Sequence, residues 1–264
     1  MTRMAFVVVM MFVAVAMTAS AQAGVLTAPN APAGTLFADQ TFADDGATTW
    51  VGQPSAAIGK GPSNTSHRES AHILSFVLPD LGVEVIQTAN LKLHAADSPW
   101  GPSLSLDLYG VRWSNVSSVA IYPGDFYRGP WDISGTNGAP LQQAFATKTQ
   151  GNPAPLNERN VETDAVGDAA LAAWLASVYT AGAVAGDFVF IRVNPDADLT
   201  SGSNSYIYFD TADTVAPNTN YGMTYVLNPE LTITTGIPPA PPIPEPAGLG
   251  LVGLALLALK RRRS

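Results

Sequence analysis

Two hydrophobic rhythms run through the middle of the chain. The commoner has period two, the mark of a strand with one buried face. Leu91 and Leu93 alternate with Lys92 and His94, which predicts a strand over residues 89–95 with the leucines inward and Lys92 and His94 outward. Leu104, Leu106 and Leu108 alternate as cleanly over residues 103–111 and predict a shared core face. Residues 71–78 form a continuous apolar run closed by Pro79 and Asp80, with the length and flanks of a core strand. His72 in that run is expected to be a hydrogen-bonded core residue. Residues 36–42 and 48–51 read as further short strands, with a turn at Asp44-Asp45-Gly46. Residues 52–66 and 114–155 are rich in Gly, Pro, Ser and Asn and read as loop. The second rhythm is helical and occurs once, over residues 168–180. Leu171, Trp174, Leu175 and Val178 fall at i, i+3, i+4 and i+7 among alanines, and Gly182 can end the helix.

Two apolar stretches fit neither rhythm, and they lie at the two ends. Residues 4–17 follow Arg3, and Ala21-Gln22-Ala23 is a small-x-small site. This predicts a secretory signal peptide over residues 1–23, helical in its apolar part, exported by the Sec machinery and cleaved after Ala23. Residues 247–259 contain only Ala, Gly, Leu and Val. As a helix of about 13 residues they would span roughly 20 Å, short of the ~20 residues of a stable membrane span. Lys260, Arg261, Arg262 and Arg263 follow and favour a cytoplasmic C-terminus. Pro244 and Pro246 keep the preceding segment extended. The expected organisation is a signal peptide (1–23), a lead-in (24–34), one β domain (35–236), a proline-rich linker (237–242) and a tail (243–264).

The order Pro244-Glu245-Pro246, short apolar helix, basic end resembles the PEP-CTERM sorting tail of bacterial surface and matrix proteins. The resemblance covers the tail alone. It implies an exosortase as processing partner, a temporary stay in the inner membrane of a Gram-negative-type bacterium, and a final place at the cell surface or in the extracellular matrix. An ordinary anchor that is never cut is the alternative, and the position of the Pro-Glu-Pro argues against it.

Composition narrows the chemistry. Cysteine is absent, which excludes disulfides, thiolate zinc sites and a cysteine nucleophile. Between Gly24 and Ala240 stand 8 basic and 20 acidic residues, a net charge of −12. Such a surface repels nucleic acid.

The strand pattern itself resembles a second family. Residues 74–81 (hydrophobic-x-Phe-x-Leu-Pro-x-Leu), residues 86–93 (Ile-x-x-Ala-x-Leu-x-Leu) and a strand ending in Leu108-Tyr109-Gly110-Val111 look like the DNRLRE-type jelly-roll domains, which are similar to carbohydrate-binding modules. The namesake motif of that family is not present. The resemblance implies further strands at residues 188–193, 207–210 and 229–233, and a mainly β, jelly-roll-type sandwich with one short helix, in addition to the terminal signal and tail helices.

Candidate sites follow from residue type. Tyr122, Tyr127, Trp131 and Trp100 lie in or near loops, where an aromatic face can stack on a sugar; Trp113 closes a strand and is expected to cap the core. Asn194, Asp196, Asp198 and Thr200 place oxygens at every second position of a turn, a calcium-type pattern, with a solvated turn as the plainer reading. No Gly-x-Ser-x-Gly elbow and no His-Glu-x-x-His are present, so no catalytic residues are assigned. The expectation is a non-catalytic surface or matrix protein associated with exopolysaccharide; the alternatives are a secreted enzyme acting on polysaccharide and an adhesin or ice-binding protein.

Overall fold

The computed structural model describes residues 24–28, 39–42, 49–50, 56–60, 70–97, 101–115, 139–149, 158–195, 205–212 and 214–238. It is mainly β, with one α-helix and a curled antiparallel sheet among the described residues. The strands are β1 (Gly24–Ala28), β2 (Asp39–Phe42), β3 (Thr49–Trp50), β4 (Ala56–Lys60), β5 (Ser70–Val77), β6 (Val85–Asp97), β7 (Leu104–Ser114), β8 (Gln142–Lys148), β9 (Glu158–Glu162), β10 (Phe188–Pro195), β11 (Ser205–Phe209) and β12 (Glu230–Gly236). The helix α1 is Ala165–Thr180.

The sheet runs β1-β12-β6-β11-β4-β5-β10-β7-β8, with β2 on β5, β3 on β2 and β9 on β6. The long strand β6 serves several partners. Its first part pairs with β12, and its last residues pair with both β9 and β11. The alternation predicted for β6 and β7 holds on the inner face, where Leu91, Leu93, Leu104, Leu106 and Leu108 are buried. They pack with Leu74, Phe76, Ile191, Ile207, Phe209 and Ile233 in one core.

Helix α1 closes this core from one side through Leu171, Leu175 and Val178. Asp164 caps it, its Oδ1 accepting from the N–H groups of Val166 (3.0 Å) and Gly167 (2.8 Å). Gly182, at φ 107, turns the chain away beyond the helix, as the sequence predicts. Trp174, half-buried, lies against Gly110 of β7, where a Cβ would run into the indole ring.

Three expectations change. Residues 24–34 were expected as a lead-in, but Gly24–Ala28 is a strand on β12, because Ala28 is buried and its backbone completes a ladder. Ala56–Lys60 is a strand inside a stretch read as loop, with Gly59 at φ 122 where a Cβ would collide with the Ser205 backbone. Gln142–Lys148 is a strand inside the stretch 114–155 read as irregular. Its alternation is interrupted by a register shift opposite Leu106 and Leu108 and by Ala144 at φ 51, whose N–H is held by Asp107 Oδ1 at 2.8 Å.

Candidate functional site

A polar cluster gathers on the outer face of β6. The strand period places His94 on this face, as expected, but His94 is fully buried rather than exposed. The reason is a cover that periodicity does not report. The segment around a 3-10 turn at Thr219–Tyr221 folds over this face, and Met223 joins Ala96, Tyr206 and Tyr208 in a second small core.

His94 lies between two strands that each bring a polar side chain. Asn160 of β9 is its direct cross-strand partner. On the other side Asp210 follows β11, its N–H donating to the His94 carbonyl at 3.0 Å. Asp210 Oδ2 is 2.6 Å from His94 Nδ1 and also accepts from the Leu227 N–H at 3.0 Å. Glu158 Oε1 approaches His94 Nε2 at 3.2 Å, an ion-pair distance whose angle falls outside a hydrogen bond. The Glu158 carboxylate is otherwise saturated by the Thr224 N–H (2.6 Å), the Thr224 hydroxyl (2.7 Å) and the Tyr225 N–H. Burial works against the charge on Glu158. The Thr224 and Tyr225 hydrogen bonds and the nearby His94 outweigh it and hold the carboxyl below its usual range.

Tyr225 is the roof. Its ring stacks on His94 with centroids 4.1 Å apart and planes 27° apart, and its hydroxyl donates to Asn160 Oδ1 at 3.3 Å. Yet 43 % of the residue is exposed. One face of the ring rests on a buried imidazole while the ring remains accessible from outside. The result is an aromatic surface held at its backbone by Glu158, at its hydroxyl by Asn160 and from beneath by His94.

A neighbouring group continues this face. Arg159 Nη1 meets Asp97 Oδ1 at 2.6 Å, and Arg159 Nη2 donates to the Thr147 carbonyl at 2.7 Å. Burial pushes the Lys148 ammonium down, with the Asp97 charge acting against it. Lys148 Nζ donates to Ser205 Oγ at 3.3 Å, and Ser205 Oγ donates to the Pro102 carbonyl at 2.6 Å. This Ser–Lys pair has the wrong polarity for a nucleophile: the hydroxyl accepts from the amine, gives its proton to a carbonyl and is fully buried.

Most of the residues singled out from sequence lie outside the described residues: Ala21, Ala23, Trp100, Tyr122, Tyr127, Trp131, Asp196, Asp198, Thr200, the sorting motif Pro244, Glu245 and Pro246, and the basic end at Lys260, Arg261, Arg262 and Arg263. Asn194 is described and buried at the end of β10. Its Oδ1 accepts from Arg192 Nε at 2.8 Å and its Nδ2 donates to the Pro195 carbonyl. The Asn194 amide oxygen is thus engaged by a guanidinium, and the other three residues of the calcium-type pattern lie outside the described residues. Among the described residues no three His, Asp or Glu side chains converge on a metal position. Trp113 is partly buried against the core, in keeping with a capping role.

Glu158, Asn160, Asp210 and Tyr225 were not legible as a group. His94 and Asp210 stand 116 positions apart, and no spacing rule links them. No protein family and no curated protein matches the sequence.

Proposed function

We propose that the chain is an exported, tail-sorted protein of the cell surface or extracellular matrix, whose folded domain associates with exopolysaccharide without turning it over. The domain is read as jelly-roll-type, the curled sheet being closed by a helix. One observation carries the binding half of this reading, the clamped and accessible ring of Tyr225. A sugar presents an apolar C–H face, and a fixed aromatic ring accepts it at little entropic cost because the ring has already lost its freedom. Asn160 and Thr224, both exposed beside the ring, are placed to meet hydroxyl groups at its edge.

The export half rests on the two ends. Gly24 and Thr235 are direct neighbours in the β1–β12 ladder. The signal segment before Gly24 and the tail after Gly236 therefore leave the domain side by side, an arrangement that lets both reach one membrane. Among the described residues no helix is long and apolar enough to cross a membrane.

The test is retention of the purified processed protein on a panel of polysaccharides, including those of the producing bacterium. Tyr225→Ala should weaken retention about tenfold, the equivalent of ~1.4 kcal/mol, while Tyr225→Phe keeps the ring and most of the binding. Equal retention by the wild type and Tyr225→Ala would sink the platform; depolymerised polysaccharide in the same tubes would replace it with an enzyme. Mass spectrometry of the mature C-terminus, with and without Pro244→Ala and Pro246→Ala, tests the sorting tail.

A further inference from the structure

Strand β1 begins at Gly24, immediately after the small-x-small site, and Gly24 faces Thr235 across the ladder. A side chain there would press on its neighbours: a Cβ would lie 2.8 Å from Thr235 Oγ1 and 3.1 Å from Glu84 Oε2. The Gly24 nitrogen hangs on the same Cα by a bond of about 1.46 Å. The Glu84 carboxylate therefore lies within a side-chain rotation of that nitrogen. Glu84 is held in place. Its N–H donates to the Leu81 carbonyl at 2.9 Å, closing the turn before β6, and the Thr235 hydroxyl donates to its Oε2. That hydroxyl also sits 3.4 Å from the Gly24 carbonyl oxygen. Gln87, beside Gly236 at the same corner, carries no charge.

In the uncleaved chain the Gly24 nitrogen is an amide with one hydrogen and no charge. Hydrolysis of the Ala23–Gly24 bond by water leaves a carboxylate on Ala23 and an ammonium on Gly24, with three donors. We infer that Glu84 is the acceptor for this new α-ammonium group, in a charge pair that exists only in the processed protein and fastens β1 to β12 and the β6 turn. The inference rests on the signal-peptide reading and adds to it an acceptor site inside the fold. The absence of a side chain at Gly24 has its function here, since a Cβ would occupy the space between amine and carboxylate. Before cleavage, the Thr235 hydroxyl is the side-chain partner of Glu84 among the described residues; after it, the carboxylate gains a charged partner and β1 a second fastening beyond its ladder.

The experiment uses the full chain exported and processed by a bacterial host. Mass spectrometry identifies the first residue, and the pH dependence of α-amine acylation reports the titration of the amine. With Glu84 present the amine should titrate at least half a unit above the ordinary ~7.7–8.0 of an α-amino group, and Glu84→Gln should return it to that range. Glu84→Asp, which keeps the charge on a shorter arm, should give an intermediate value. A mature chain starting at Gly24 whose amine titrates identically in the wild type and Glu84→Gln overturns the pair alone. A mature chain starting elsewhere overturns the proposal together with the cleavage reading.

Discussion

Two histidines at comparable depth illustrate how much a single residue depends on its cover. His94 has Asp210 on one nitrogen, Glu158 near the other and Tyr225 above. His72 on β5 is also fully buried, but neither ring nitrogen has a hydrogen-bond partner among the described residues, and the Phe209 ring lies 6.1 Å away, centroid to centroid. Burial alone pushes the His72 imidazole down to about 3. The unfolded chain binds this proton near pH 6.5 and the folded chain does not, so between pH ~6.5 and ~3 the unfolded state holds more protons. The associated stability is complete above pH ~6.5 and is lost as the pH falls toward 3, at about 1.4 kcal/mol per unit inside that window. Urea unfolding from pH 7 to 4.5 should therefore show a steeper decline for the wild type than for His72→Leu, which has nothing to protonate. Parallel declines would mean that His72 is hydrated or paired in the fold. Sequence reading expected His72 to be buried and hydrogen-bonded and His94 to be exposed. Strand period decides which face a residue occupies; what lies over that face comes from distant segments, here residues 223–227, and is not written in the local pattern.

Helix α1 shows the converse, an element whose placement was legible because its own residues specify it. The alanine-rich turns, the Leu171-Leu175-Val178 face and Gly182 all agree, and the structure adds the first turn from Ala165, capped by Asp164, and the object the helix meets. That object is chiefly β6, with Gly110 of β7 under Trp174. Gly110→Ala should destabilise the domain by about 1–3 kcal/mol, the usual cost of overpacking. Combined with Trp174→Leu, which withdraws the indole, the same substitution should cost far less. A double-mutant cycle in chemical denaturation reads the coupling, and strict additivity would count against the contact. Strands β5, β6 and β7 were legible for a similar reason: each carries a long apolar run or a clean alternation. The missed strands lack that support. β9 reads Glu-Arg-Asn-Val-Glu and buries only Val161. β1 and β8 each pair with one neighbour among the described residues, and β8 is broken by its bulge. In these elements the ladder is satisfied by backbone groups that any sequence supplies, so side-chain pattern is a weak guide.

For the whole molecule, the decisive contact is the one between its ends. β1 and β12 join residues separated by nearly the entire domain, and loop-closure entropy opposes that pairing until the rest of the sheet is in place. That seam lies where the chain enters the sheet at Gly24 and leaves it at Gly236, and Val25, which is 67 % exposed, marks its outer side. A covalent staple tests the arrangement directly. Val25 and Thr234 are direct antiparallel partners, a separation that a disulfide can span, and the chain has no native cysteine to compete. Val25→Cys with Thr234→Cys should oxidise readily and close a loop of roughly 210 residues, raising stability by about 2–4 kcal/mol. Reduction should remove the gain and leave the paired strands intact. Shifting one cysteine by a residue, to Val25→Cys with Ile233→Cys, points one side chain into the core and the other outward, because neighbours on a strand face opposite sides. That pair should resist oxidation. Equal crosslinking by both pairs would show that β1 slides on β12, and a sliding strand could not hold the Gly24 amine against Glu84.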